Sequence, residues 1–325
     1  MKRTIGLGIA FPMAIYMAIS LGYDSKYSNR WYQRDVFLSV YDNHRDITRY
    51  RVVGRVLVLR TADLLNHFHL ALRTPGTHDG DVFTALVVVN GVGFIGLALL
   101  LYRRTAQRNG WLIPYLVMIS LVAASAYVVT PYDQLSYVLT AALCFALFGA
   151  RPRPPLVVGS LAVLGVATRE SVFIGVAAGA AATIAGRALW TAQGRRVLAA
   201  IVGGGATYVA LHVLLPHAPD GSSLFRPEPL AHNWNQGSVV AFLITALGAL
   251  ALYAAYPASN DPWWRQARLL LWLLSAPYMA VLYFGGLWFE APRLAMPILL
   301  SEYLLRVASD ERAEDCDPSL HTVAS

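Results

Sequence analysis

Charge is what this sequence has least of. Only 14% of its 325 residues are Asp, Glu, Lys or Arg, against about 25% in an average soluble domain. Hydrophobic residues make up 56% and mean hydropathy is +0.48. No soluble core in so short a chain could bury that much apolar surface, so a soluble globular class is excluded. Cysteine is scarce too. Cys144 lies in an apolar run and Cys316 in an acidic stretch, which excludes a disulfide framework. There is no Asn-x-Ser/Thr sequon. The alternating short segments of an outer-membrane barrel are also absent. Net charge is +7, which in a soluble protein would suggest a nucleic-acid partner. Here the arginines flank apolar runs, and the reading is topological: they hold loops in the cytoplasm, and no nucleic acid is expected.

What remains is a succession of long apolar runs. A membrane span needs about 20 apolar residues, fewer when helices are tilted or broken. The runs predict an all-α, polytopic transmembrane bundle of about ten spans, with eight to ten allowed. The segments fall at about 4–22, 82–102, 111–130, 134–149, 156–186, 197–216, 237–256, 267–286 and 292–306. The first reads as a retained anchor rather than a cleaved signal, because small residues are poorly placed near Ile19-Ser20-Leu21. The run 156–186 is long for one span and short for two. Arg169-Glu170 divides it, which predicts two short helices meeting at a charged tip. Residues 1–309 read as one transmembrane domain and 310–325 as an acidic, disordered cytoplasmic tail.

A cytoplasmic N-terminus is self-consistent. It puts Arg103, Arg104, Arg108, Arg151, Arg153, Arg187, Arg195, Arg196, Arg265 and Arg268 inside, with the C-terminus. The protein is then expected in a bacterial inner (cytoplasmic) membrane. The same threading gathers Tyr132-Asp133, Thr168-Arg169-Glu170, Glu290 and Arg293 at the outward face. Charges at membrane depth are expensive and mark functional sites by default.

The one sizeable non-spanning region is the outer loop 23–80, which carries Asp24, Asp35, Asp42, Asp46, Asp63 and Asp79, with Asp81 just beyond it. Ile47, Tyr50, Val53 and Val56/Leu57 have helical spacing, with Arg49, Arg55 and Arg60 elsewhere. The pattern predicts an interfacial amphipathic helix in the headgroup plane. It serves either as a connector or as a platform for an acidic residue and a lipid headgroup.

Other motifs carry less. Gly91-x-Gly93-x-x-Gly96 lies inside an apolar span without the strand a dinucleotide site requires. It reads as helix packing, as does Gly175-x-x-x-Gly179. His67-Phe-His69 would not share a helix face and has no third ligand in view, so no metal site is expected. A divalent cation stays open, since Asp24, Asp35 and Asp133 supply hard oxygens, but nothing specifies a cage. Arg169 and Glu170 are adjacent and cannot face each other on a helix. Glu290 is the expected partner of Arg169, and Arg293 that of Glu170. The planar guanidinium also suits a phosphate. In the loop 217–236, Arg226, Glu228, His232, Trp234 and Asn235 form a polar, aromatic set that suits a sugar, or an interfacial loop with a Trp anchor.

These features resemble the GT-C superfamily of membrane glycosyltransferases, which take a sugar from a polyprenyl-phosphate carrier at the outer membrane face. The similar points are Gly22-Tyr23-Asp24 and Arg34-Asp35 after the first helix, the interfacial loop helix, Ala167-Thr168-Arg169-Glu170-Ser171 at a helix break, and Phe289-Glu290-Ala-Pro-Arg293. The likeness covers most of the chain in layout and four short patches in residues. Two departures stand out: Asp24 and Asp35 are separated where many members have a double acidic motif, and no soluble C-terminal domain follows.

The resemblance implies a lipid-linked sugar donor and a glycan, lipid or protein acceptor. It implies Asp35 or Asp24 as general base. Arg169, Arg293 and Arg226 would stabilise the leaving phosphate. Asp133 and Glu170 would hold sugar hydroxyls or orient the arginines, and Glu290, Tyr132, His232 and Trp234 would line the substrate site, with no cofactor. A secondary transporter is the alternative from another class; its charges should lie near the midplane, with a related repeat in the other half. A non-catalytic subunit of an envelope-assembly complex is the third reading.

Overall fold

The structure, a computed structural model, describes residues 5–27, 51–70, 80–106, 108–127, 133–149, 153–215, 233–284 and 290–316; for 20–27, 80 and 314–316 it describes the backbone alone. These residues are helical with no strand among them. The helices are α1 (Phe11–Tyr27, preceded by a π turn at Gly6–Ala10), α2 (Val52–His67), α3 (Gly80–Leu101), α4 (Leu112–Ala124), α5 (Asp133–Phe148) and α6 (Pro155–Thr168). They continue with α7 (Phe173–Ala185), α8 (Ala192–Leu214), α9 (Gln236–Ala255), α10 (Pro262–Phe284) and α11 (Ala291–Cys316).

Among the described residues, four stretches are long and apolar enough to cross a membrane: Asp81–Ala106, Ala192–Leu214, Gln236–Ala255 and Pro262–Phe284. Five others are apolar but shorter, from Gly6–Ile19 to Glu170–Ala185. The protein is therefore a helical membrane protein. Burial separates two kinds of helix. α5 buries Tyr137, Ala141, Leu143, Cys144 and Leu147, each fully, and packs against α3, α6, α7 and α11. By contrast, only 17% of the apolar window in α8 is buried, 17% in α9 and 22% in α10. Outward apolar faces of this extent have no aqueous solution, but match a hydrocarbon surround.

The run 156–186 does split at the predicted place. Pro154 and Pro155 start α6, where a missing N–H costs nothing. Arg169 then leaves the helix with extended backbone, φ −165° and ψ 136°. A 3-10 turn at Glu170–Val172 reverses the chain into α7. Gly165 makes the tight tip possible: a Cβ there would stand 2.5 Å from Val172 Cγ1. The glycine motifs serve close packing as expected. A Cβ on Gly93 would meet the backbone of Gln134 at 3.2 Å, and one on Gly179 would meet Leu147 Cδ1 at 2.6 Å.

One expectation holds in part and one is corrected. A loop helix forms over Val52–His67; Ile47 and Tyr50 of the predicted stripe lie outside the described residues, and the rest of that stripe is not the face against the protein. Gly54, Val58 and Ala62 face inward, where α2 approaches α3 and α6, while Val56 and Leu57 are exposed. Small residues win the inner face because two backbones must come close there; the larger apolar side chains are left for lipid. The final helix does not stop at Arg306 before a disordered tail. It continues to Cys316, because Asp310 accepts from Trp111 Nε1 at 2.9 Å and from Arg306. Arg306 also donates to the Pro257 carbonyl at 2.9 Å. The acidic residues nearest the bundle are thus counter-ions of buried cations, not a solvated run.

Candidate functional site

Two polar clusters lie along α11, one at its start and one near its middle. The first is built from helix ends. Asp133 opens α5, Arg169 closes α6, Glu170 opens the turn before α7, and Glu290 directly precedes α11, with Arg293 in its first turn. α5, α7 and α11 start at this end of the bundle and α6 finishes there, so these ends meet. Arg169 donates to Asp133 Oδ1. Arg293 Nη2 donates to Glu290 Oε2 at 2.7 Å, and its Nη1 stands 3.8 Å from Asp133 Oδ2. Arg51, just before α2, donates from Nε to Glu170 Oε2 at 3.0 Å. The side chains of Asp133 and Arg169 are only 3% and 2% exposed. At that depth an unpaired charge would be prohibitive, so the pairing is obligatory.

The surroundings fix these groups. Tyr137, fully buried, donates to the Arg293 carbonyl at 3.0 Å. Gln134 N donates to Oδ1 of buried Asn90 on α3 at 3.3 Å, which anchors the start of α5 beside Asp133. Tyr278 of α10 lies within the field of Arg169, Arg51, Arg293 and Glu170.

Asp133, Arg169, Glu170, Glu290 and Arg293, singled out from sequence, therefore do come together. The partners differ from expectation: Glu170 pairs with Arg51 instead of Arg293, and Arg169 with Asp133 instead of Glu290. Arg169 leaves α6 with extended backbone, and its side chain reaches Asp133 on α5. Trp234 is 73% exposed at the start of α9; its neighbour Asn233 donates to the Tyr283 carbonyl at 3.3 Å. Asp24 lies near the end of α1 with only its backbone described, and α1 packs on the Ser125–Tyr127 turn that leads toward Asp133. Asp35, Tyr132, Arg226 and His232 lie outside the described residues. No group of three His, Cys, Asp or Glu side chains that could hold a metal occurs among the described residues.

The second cluster was not read from sequence. Glu302, fully buried on α11, accepts from Tyr253 Oη at 2.7 Å and Trp272 Nε1 at 2.9 Å, while Arg268 Nε lies 2.8 Å from its other oxygen. Arg268 stacks 4.4 Å over the Tyr253 ring. The signal was present: Glu302 is an acid within an apolar run, the same criterion that singled out Glu290. Arg51, Ser171, Tyr137 and Tyr278 were missed because nothing local distinguishes them from other loop or interfacial residues.

The first cluster can bind a polar ligand at one end of the bundle. Among the described residues its charges balance, with Arg51, Arg169 and Arg293 against Asp133, Glu170 and Glu290. No protein-family model matches the chain, and no curated protein or solved structure matches it either.

Proposed function

We propose that this protein is a glycosyltransferase. It moves a sugar from a polyprenyl-phosphate carrier to an envelope glycan, lipid or protein acceptor on the outward face of a cell membrane. The observation that supports the reading most is the gathering of Asp133, Arg169, Glu170, Glu290 and Arg293 at one end of a bundle of short, broken helices. The amphipathic α2 lies against that end through Arg51. Such a site serves a substrate whose lipid tail stays in the bilayer while its polar head enters among the helix ends. The threading into about ten spans, with both termini cytoplasmic, belongs to this proposal.

In this reading Asp35 or Asp24 takes the proton from the acceptor hydroxyl as it attacks the anomeric carbon. The bond from that carbon to the carrier's phosphate oxygen breaks, and the phosphate leaves with the lipid. Cationic side chains outside the cluster's ion pairs, with Arg226 the candidate, stabilise the developing charge.

The test uses purified protein in nanodiscs with a panel of polyprenyl-phosphate sugars, following carrier release by mass spectrometry. Release that disappears in Asp35→Asn or Asp24→Asn, with the variants folded, supports the reading. Full release in the double variant removes its catalytic core, and no release from any donor removes the transferase.

One observation favours a second reading. Glu302 is buried nine residues beyond Arg293 on α11, about 13 Å along the axis. A second charged layer at depth suits a transporter, and proteoliposome flux would detect it.

A further inference from the structure

Four buried polar atoms at the first cluster have no hydrogen-bond partner among the described residues: Asp133 Oδ2, Glu170 Oε1, Ser171 Oγ and Tyr278 Oη. Buried polar groups are nearly always satisfied, because an orphan loses its hydration without compensation. One orphan could be local imperfection. Four at one cluster, contributed by α5, the 169–172 tip and α10, point to a hydrogen-bonding ligand.

We infer that this cluster binds the hydroxyls of a sugar ring, and that it holds the sugar of the donor and not its phosphate. The inference rests on the transferase reading and names which part of the donor enters.

The donor and acceptor inventory comes first. Asp133 Oδ2 and Glu170 Oε1 are carboxylate oxygens and only accept; Ser171 and Tyr278 hydroxyls can accept or donate. A sugar hydroxyl does both, so it can donate to the carboxylates and pair with the hydroxyls. A phosphate brings acceptor oxygens, which would face two carboxylate acceptors.

Charge gives the same answer. Among the described residues, three arginines stand against three carboxylates in the cluster. A phosphate would add negative charge where Asp133 is already 2% exposed, with no surplus cation in those pairs to offset its desolvation. A neutral polyol adds no charge.

The third argument is preorganisation. In each carboxylate one oxygen is held by a hydrogen bond and the other accepts none, with Arg293 3.8 Å from Asp133 Oδ2. Arg169 pins Oδ1 of Asp133, and Arg51 pins Oε2 of Glu170. Arg169 and Arg51 thus orient acceptors; the carrier's phosphate stays outside the cluster.

Ser171→Ala and Tyr278→Phe test this, because each removes one hydroxyl and no charge. Neither hydroxyl bonds anything among the described residues, so both variants should unfold at the parent's temperature. Binding is then measured in nanodiscs with two probes: a panel of short-chain alkyl hexosides and pentosides, and farnesyl phosphate. The expected result is that at least one glycoside binds the parent. Each variant weakens it about tenfold, the equivalent of one hydrogen bond to a charged or well-placed group. Farnesyl phosphate binds all three proteins equally. Weakened farnesyl phosphate binding with unchanged glycoside binding would overturn the inference, as would a parent that binds no glycoside. Variants that lose stability but keep full glycoside affinity would also overturn it, since the hydroxyls would then serve packing. The assay contains no transfer step. Glycoside binding without carrier release from any donor would therefore sink the transferase reading and leave the sugar pocket standing. Carrier release with no effect of either variant would do the reverse.

Discussion

Replacing Asp133 by Ala removes the counter-ion of one buried arginine and a near neighbour of another. Arg169 donates to Oδ1, and Arg293 stands 3.8 Å from Oδ2. The side chains of Asp133 and Arg169 are 3% and 2% exposed, so water cannot take over the orphaned guanidinium. Breaking a buried pair by removing one partner costs about 3–5 kcal/mol. At about 2 °C per kcal/mol for a chain of this length, the midpoint should fall by roughly 6–10 °C. Arg169→Ala should cost a similar amount, since it strands the carboxylate instead. The double variant Asp133→Ala/Arg169→Ala removes both charges. It should be about as stable as either single variant, so the coupling equals one single-variant loss, about 3–5 kcal/mol. The assay is thermal unfolding of purified protein in nanodiscs, followed by the fluorescence of its eight tryptophans. Additive losses in the double variant would refute the reasoning, because they would mean that each charge is satisfied elsewhere.

Three further outcomes follow from the same geometry. Glu302→Gln should cost about 1–3 kcal/mol, less than a fully buried pair because Arg268 is 41% exposed; sugar-transfer kcat should not change, and a large kcat loss would place Glu302 in the reaction path. Asp310→Ala strands Arg306, whose side chain is 2% exposed, and the Trp111 indole N–H; a loss of about 1–3 kcal/mol is expected by thermal unfolding, whereas unchanged stability would mean the end of α11 does not hold the bundle. Gly165→Ala drives a methyl to 2.5 Å from Val172 Cγ1. It should cost about 1–3 kcal/mol and disturb binding at the Arg169-Glu170 tip; a variant with parental stability and binding would show that the tip has room to give.

Much of the architecture was legible because its signals are local. The break at Arg169-Glu170 needs only a run too long for one helix and a charged pair inside it, and the structure breaks there. The gathering of Asp133, Arg169, Glu170, Glu290 and Arg293 follows from counting helix directions. The partners were not legible. Arg169 could have met Glu290 by any local rule, and it reaches Asp133 instead. Arg51 lies more than a hundred positions from Glu170, and no spacing rule connects them. Glu302 carried a readable signal and was passed over.

By itself, the sequence determined the class of molecule, because scarce charge and abundant apolar surface leave only a membrane to solvate the chain. It also determined which end of each helix carries charge, since that follows from position along a run. The tertiary structure alone decided which charges neutralise each other, which face of α2 meets the protein, and that the acidic stretch after Arg306 continues a helix. Those outcomes depend on which backbones approach closely and which buried charges lack a partner, and both are set only when distant segments pack together.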